Sequence, residues 1–204
     1  MQVKELAEKT LYYFTIISGG RTYDQQGSPY QVKTGKNISP SPGELSDQIQ
    51  ARVLQPDGKP ATDIIVFMSI KDKDGEGSAE NSAEQSILIW GTETAIVNFN
   101  AANSRTKDAL KAFAYSLDVD MVQFRALGAA GCKADLSVCT EGKNLPPAYE
   151  LTLTCSGGDD TCDDVRISNI SSTSANISWV SCYPFVAEVR YGESQSLLNN
   201  ECGI

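Results

Sequence analysis

From Gln31 onward, apolar residues recur at every second position in one short run after another, a period that fits a half-buried β-strand and not a helix. Strands are expected near 30–34, 46–54, 62–70, 85–90, 93–100, 110–118 and 120–127, with turns at "PDGKP", "KDKDGEG" and "LDVD". That spacing, with a turn signal after nearly every run, describes two packed sheets.

Upstream the pattern changes. In "QVKELAEKTL", residues 2–11, Val3, Leu6 and Leu11 fall on one face of a short helix. "TLYYFTII" then switches to aromatic and β-branched residues, the composition of a strand buried on both faces. Tyr12, Tyr13 and Phe14 are consecutive, so in a strand they point to both sides, and with Ile16 they demand cover. Either the segment completes a core of its own chain, or it docks into a neighbouring molecule. "SGGRTYDQQGSPY" reads as a loop.

The chain has 204 residues, 41% of them hydrophobic, which suffices for one large or two small cored domains. A net charge of −9 argues against nucleic acid and anionic membranes as partners, since both reward clustered Lys and Arg. Nothing approaches the ~20 apolar residues of a membrane span. "LYYFTII" is too short for a signal sequence and follows Glu5 and Glu8, so an exported protein of this sequence would have lost its leader.

There is no histidine. Ser-His-Asp and Cys-His nucleophiles, His-ligated zinc and c-type haem attachment all need an imidazole and are excluded. No Ser-x-x-Lys helix or glycine-rich phosphate loop replaces them. "KDKDGEG" misses the calcium-loop spacing, and "GGDDTCDD", with Asp159, Asp160, Asp163 and Asp164, reads as a solvated turn. No catalytic residue, metal or cofactor is therefore expected. Trp90 and Trp179 fall on expected strands and are assigned to the core.

All six cysteines, Cys132, Cys139, Cys155, Cys162, Cys182 and Cys202, lie from residue 132 onward and show no Cys-x-x-Cys spacing. Disulfides formed in an oxidising compartment are the expectation. Of the possible pairings, Cys132–Cys139, Cys155–Cys162 and Cys182–Cys202 each close a local, turn-rich loop. Asn37, Asn169 and Asn176 head N-x-S sequons and are candidate glycosylation sites.

Two stretches resemble known families. "DQIQARVLQPDGKPATDIIVFMSI" resembles the strand, "DxxGxPV"-type turn and strand of bacterial immunoglobulin-like domains of invasin and intimin type, and the likeness extends loosely over residues 30–128. It departs at Ala61 and Thr62, and "IWGTETA" replaces the usual "D-x-x-G". "VRISNISSTSANISWVSCYPFVAEVRYGES" resembles the first half of a fibronectin type III domain, with Trp179 as the strand B tryptophan and Tyr191–Gly192 closing strand C. The return, with its tyrosine-bearing strand F, does not follow.

Strand pattern and the two resemblances together give an all-β chain: an N-terminal helix/strand extension (1–29), an immunoglobulin-like sandwich (30–130), a Cys-rich connector (131–162) that staples two modules, and an incomplete fibronectin type III-like domain (163–204). Half a sandwich leaves its core and edges open. Three arrangements would resolve it. The domain continues beyond the sequence; or "AYELTLTC" lends a strand with Cys182–Cys202 as a clasp; or "TLYYFTII" arrives from another subunit, the donor-strand arrangement of some surface filaments. The expected function is a non-catalytic structural or adhesive module, extracellular or on a cell surface, a possible filament subunit that associates with itself or with neighbouring surface subunits. The alternative is an accessory sandwich of a secreted hydrolase, metallophosphatase-like or glycan-active.

Overall fold

A computed structural model describes residues 1–38, 48–73, 75, 80–91, 96–116, 119–129, 131–139, 148–155, 165–180, 186–196, 198 and 200–203. The first strands are β1 (Gln2–Val3), β2 (Leu11–Ser18), β3 (Arg21–Tyr23) and β4 (Tyr30–Lys33). A middle group follows: β5 (Gln48–Leu54), β6 (Ile64–Lys71), β7 (Gln85–Ile89), β8 (Ile96–Asn100), β9 (Met121–Leu127), β10 (Cys132–Cys139), β11 (Tyr149–Thr152) and β12 (Thr154–Cys155). The last strands are β13 (Arg166–Ser168), β14 (Ala175–Ser178), β15 (Ala187–Gly192) and β16 (Asn200–Gly203). Among the described residues there is no α-helix, only a 3₁₀ turn at Ala101–Asn103.

The middle group makes one sandwich. Its sheets run β11-β5-β8 and β12-β10-β9-β6-β7. Alternation explains the burial: on β5, Ile49, Ala51 and Val53 point inward while Gln48, Gln50 and Arg52 face water. These residues close on Val66, Met68 and Ile70 of β6 and Val122, Phe124 and Ala126 of β9, forming one contiguous core. β9 and β6 sit at the centre of the larger sheet, which is why both carry inward residues without a break.

Several expectations change here. Residues 110–118 form no strand among those described; Phe113 plugs the core from a loop held by the Phe113 N–Ser104 O bond. The expected connector contributes a full strand, β10, paired along β9 from Lys133–Leu127 to Cys139–Met121. Its inward face consists of the small or modest residues Cys132, Ala134, Leu136 and Val138, a weak apolar signal in sequence. "AYELTLTC" belongs to this sandwich as well, running parallel to β5 as β11 and then crossing to the other sheet as β12. It lends nothing to the C-terminal module.

A second sandwich is assembled from the two ends of the chain. One sheet runs β1-β14-β13; the other runs β16-β15-β2-β3, with β4 also on β2. Its core joins Val3, Leu6, Tyr12, Phe14, Ile16 and Val32 to Ala175, Ile177 and Val189, with Trp179 and Tyr191 packed against it. Residues 1–29 are therefore not an extension of the middle sandwich, and β4 does not belong to that sandwich. The helix expected over 2–11 is absent because β14 offers an edge that β1 pairs, and Glu5 and Lys9 adopt positive φ (59° and 55°), which a right-handed helix forbids. Val3 and Leu6 are buried as expected, by a different backbone.

Candidate interaction surfaces

The seam between the two ends is the most extensive long-range contact of the second sandwich. β2 pairs antiparallel with β15 from Ser18–Ala187 to Tyr13–Gly192. β1 pairs with β14, and the Met1 ammonium and carbonyl bond the Ile177 carbonyl and N–H at 2.8 Å each. Leu6 N donates to Thr173 O and Gly35 N to Ser171 O. Tyr12, Phe14 and Ile16 fill the core from β2, while Tyr13 points to the other face. The segment picked out for strand exchange completes the half-sandwich, and in this structure it does so by pairing with β15 of its own chain.

Tyr12 does more than pack. Its hydroxyl accepts the Ala7 N–H at 2.8 Å, tying the start of β2 to the chain five residues upstream, and faces Glu193 Oε1 at 3.4 Å.

The two sandwiches meet through polar groups. Asn169 stands at φ 49° just after β13 and turns its amide onto edge strand β7: Oδ1 accepts Ser86 N–H at 2.9 Å and Nδ2 donates to Ser86 O at 2.8 Å. The side chain imitates one residue of a neighbouring strand and satisfies an edge that would otherwise be open. Asn169 N donates to Glu84 O, and the Ser86 and Ser168 hydroxyls bond at 2.7 Å in a buried position. Arg166 grips Glu84 at 3.0 Å and lies 5.3 Å from the Phe67 ring centroid. On the N-terminal side the contact is slighter. Lys36 N donates to Ala109 O, Arg105 Nη1 donates to Lys36 O at 2.9 Å, and Gly35 lies so close to Ala109 that a Cβ would overlap its carbonyl and methyl. Partial burial lowers the Arg105 guanidinium below its usual value.

Beside this junction the larger sheet of the middle sandwich has a polar hollow of about 290 Å³, lined by Ser69, Gln123, Arg125, Asp135, Ser137 and Glu84. Both carboxylates in it have arginine partners, Asp135 with Arg125 at 2.6 Å and Glu84 with Arg166. Among the described residues no group of three His, Cys, Asp or Glu side chains is arranged to hold a metal. Asp159, Asp160, Asp163 and Asp164 lie outside the described residues.

The cysteines depart from the local pairing. Cys132 is bonded to Cys155, its direct partner across β10 and β12. A Cys132–Cys139 bridge is impossible because the two stand at opposite ends of an eight-residue strand, roughly 23 Å apart. With Cys155 engaged, a Cys155–Cys162 bridge is ruled out too. The disulfide ties an edge strand within the middle sandwich and does not staple two modules. Cys139 is a free thiol, 3.2 Å from Lys73 Nζ. Cys162 and Cys182 fall outside the described residues; Cys202 lies on β16.

Of the sequons, Asn37 is exposed. The amide of Asn169 is consumed by the Ser86 contacts, so a glycan there is incompatible with this junction. Asn176 is half-buried on β14, with its Oδ1 buried and unbonded. Trp179 is half-buried against the second core as expected, whereas Trp90, assigned to the core, is 73% exposed at the end of β7. Trp90 directly follows the last residue of β7, the edge strand of its sheet.

In sequence Asn169 reads only as a sequon and Arg166 carries no motif, so neither marks the junction. Comparison with known proteins finds no matching family model, no matching curated protein and no matching solved structure.

Proposed function

We propose that the chain is a non-catalytic structural module of an extracellular or cell-surface protein, whose work is spacing and contact. The observation that carries this reading is the junction: Asn169, Ser168 and Arg166 fasten one sandwich to Ser86, Glu84 and Phe67 of the other, fixing two rigid bodies at one angle. The Cys132–Cys155 bond supports an oxidising compartment. No helix among the described residues is long and apolar enough to cross a membrane. A chain without imidazole, whose one polar hollow described above has its acids paired to arginines, is poorly equipped for acid–base chemistry.

The finer reading of the second sandwich is a fibronectin type III-like fold in rotated chain order. The C-terminal half carries the first strands of that fold. The missing tyrosine-bearing strand is β2 at the N-terminus, and the Tyr12 hydroxyl bonded to the backbone of Ala7 is the arrangement known as a tyrosine corner. The middle sandwich is read as the immunoglobulin-like partner.

Two measurements test the structural role. Small-angle scattering of the full chain should give one narrow distance distribution that broadens on Asn169→Ala combined with Arg166→Ala. Incubation with chromogenic phosphate esters and glycosides should leave them intact; turnover that copurifies with the chain would end the proposal in favour of a hydrolase.

A further inference from the structure

We propose that residues 1–35 are an exchangeable donor: the N-terminal half of one copy can leave its own chain and complete the C-terminal half of a second copy of the same chain. Three observations lead there. First, neither half has a core of its own. β2 lies between β15 on one side and β3 and β4 on the other, and Tyr12, Phe14 and Ile16 share one buried cluster with Ala175, Ile177 and Val189 of the other half. Second, the two halves are joined covalently only through residues 36–164, so every seam contact would be equally available between two chains as within one.

Third, the anchors are unequal. The C-terminal half is fixed to the middle sandwich by both amide bonds of Asn169, the Ser168–Ser86 hydroxyl pair and the Arg166–Glu84 ion pair. Among the described residues, the N-terminal half meets it through the Lys36 N–Ala109 O and Arg105 Nη1–Lys36 O bonds and the packing of Gly35 on Ala109. When the sandwich opens, the C-terminal half stays on the middle sandwich as a preformed acceptor and the N-terminal half is released. Reclosure within the chain is favoured at low concentration, and capture of a second chain's donor at high concentration. The exchange extends the structural reading above, yet it stands on the seam alone: its failure would leave a rigid monomeric spacer, and discovery of turnover would leave the seam untouched.

The test uses full-length chains. Ile17 and Glu188 face each other directly across β2 and β15 and are both only partly buried. Isotope-labelled Ile17→Cys chain and unlabelled Glu188→Cys chain are mixed, unfolded together, refolded over a range of concentrations and oxidised. Peptide mass mapping then identifies the 17–188 link apart from the native cysteines. Because each chain carries one engineered thiol, that link can form only between chains. The expected result is a labelled–unlabelled 17–188 crosslink whose yield rises with concentration. Adding Arg105→Ala, which removes a hinge contact outside the seam, should raise that yield by roughly fivefold, the effect of losing about one hydrogen bond. A 17–188 link that forms readily within the Ile17→Cys/Glu188→Cys double variant, but never between chains at any concentration, overturns the proposal.

Discussion

Asn169 combines a left-handed backbone with two side-chain bonds to a single residue, Ser86, on the opposite sandwich. Asparagine tolerates that backbone better than most residues, and its amide carries the donor and the acceptor that an edge strand needs. Asn169→Gly should keep the backbone and lose the bonds, costing about 2 kcal/mol; Asn169→Ala should cost roughly 1 kcal/mol more for its φ. Urea unfolding of both variants separates the contributions, and equal stabilities would show that φ carries no cost. Asp108 acts on the other anchor. Its carboxylate accepts from the Thr106 hydroxyl and from Leu110 N–H, bracketing Ala109, whose carbonyl receives Lys36 N–H. Those bonds, the Thr106 hydroxyl first, hold its pKa below the ordinary 3.8. A depressed carboxylate contributes stability that is present above the unfolded-state pKa and lost as pH falls through the folded one. The stability gap between the parent chain and Asp108→Asn should therefore close on acidification below about pH 4, and the group's near-complete exposure keeps the gap small. A gap that widened in acid would contradict the assignment. Neither residue announces its role in sequence. Asn169 reads as a sequon and Asp108 as a loop acid, because what defines each is a partner on another element.

At the scale of elements, Tyr12 fixes how β2 enters its sheet. Tyr12→Phe keeps the ring against Tyr191 and the core but leaves Ala7 N–H without its acceptor, so it should destabilise the second sandwich by about 1 kcal/mol and leave the middle one unchanged. Hydrogen exchange resolves the two: faster exchange along β2 and β15 with β6 and β9 unaffected is the expected result, and uniform acceleration would mean that the sandwiches unfold as one. The same comparison shows what local pattern can reveal. β5, β6, β7, β8 and β9 stand close to where alternation put them, because each strand's period reports a face buried by its immediate sheet. β10 is faint in sequence because Ala134 and Cys132 make a weak apolar face, and its cysteines read as those of a linker. The helix expected over 2–11 failed for a different reason. Val3 and Leu6 form the expected inward pair, but the residues that make β1 a strand, Ala175 and Asn176, lie more than 170 positions further along the chain, and no local period encodes them.

At the scale of the molecule, strands within residues 1–33 and 166–203 form one sandwich and the other lies between its halves in sequence, so tension applied to this chain across residues 1 and 203 has a defined order of action. Load enters through β1 and the strands beside it and leaves through β16, and what opposes it is the β2–β15 seam and the second core. The middle sandwich carries little of that load until the halves part, after which it is stretched between residues 36 and 164. Single-molecule pulling should accordingly show the second sandwich yielding first and the middle one later. The Cys132–Cys155 bond spans 23 residues that cannot extend while it is intact, so reductant should lengthen the later event alone, by about 80 Å. Cutting that bond by Cys132→Ala with Cys155→Ala should also remove about 3 kcal/mol from the middle sandwich, the entropy of a loop of that size. Tension would then act as a two-step lengthening, in which the first step exposes the donor and acceptor halves and the second, kept short by sulfur, preserves the body that holds the acceptor. A trace in which the middle sandwich ruptures first, or in which reductant leaves the later step unchanged, would show that load does not follow this path.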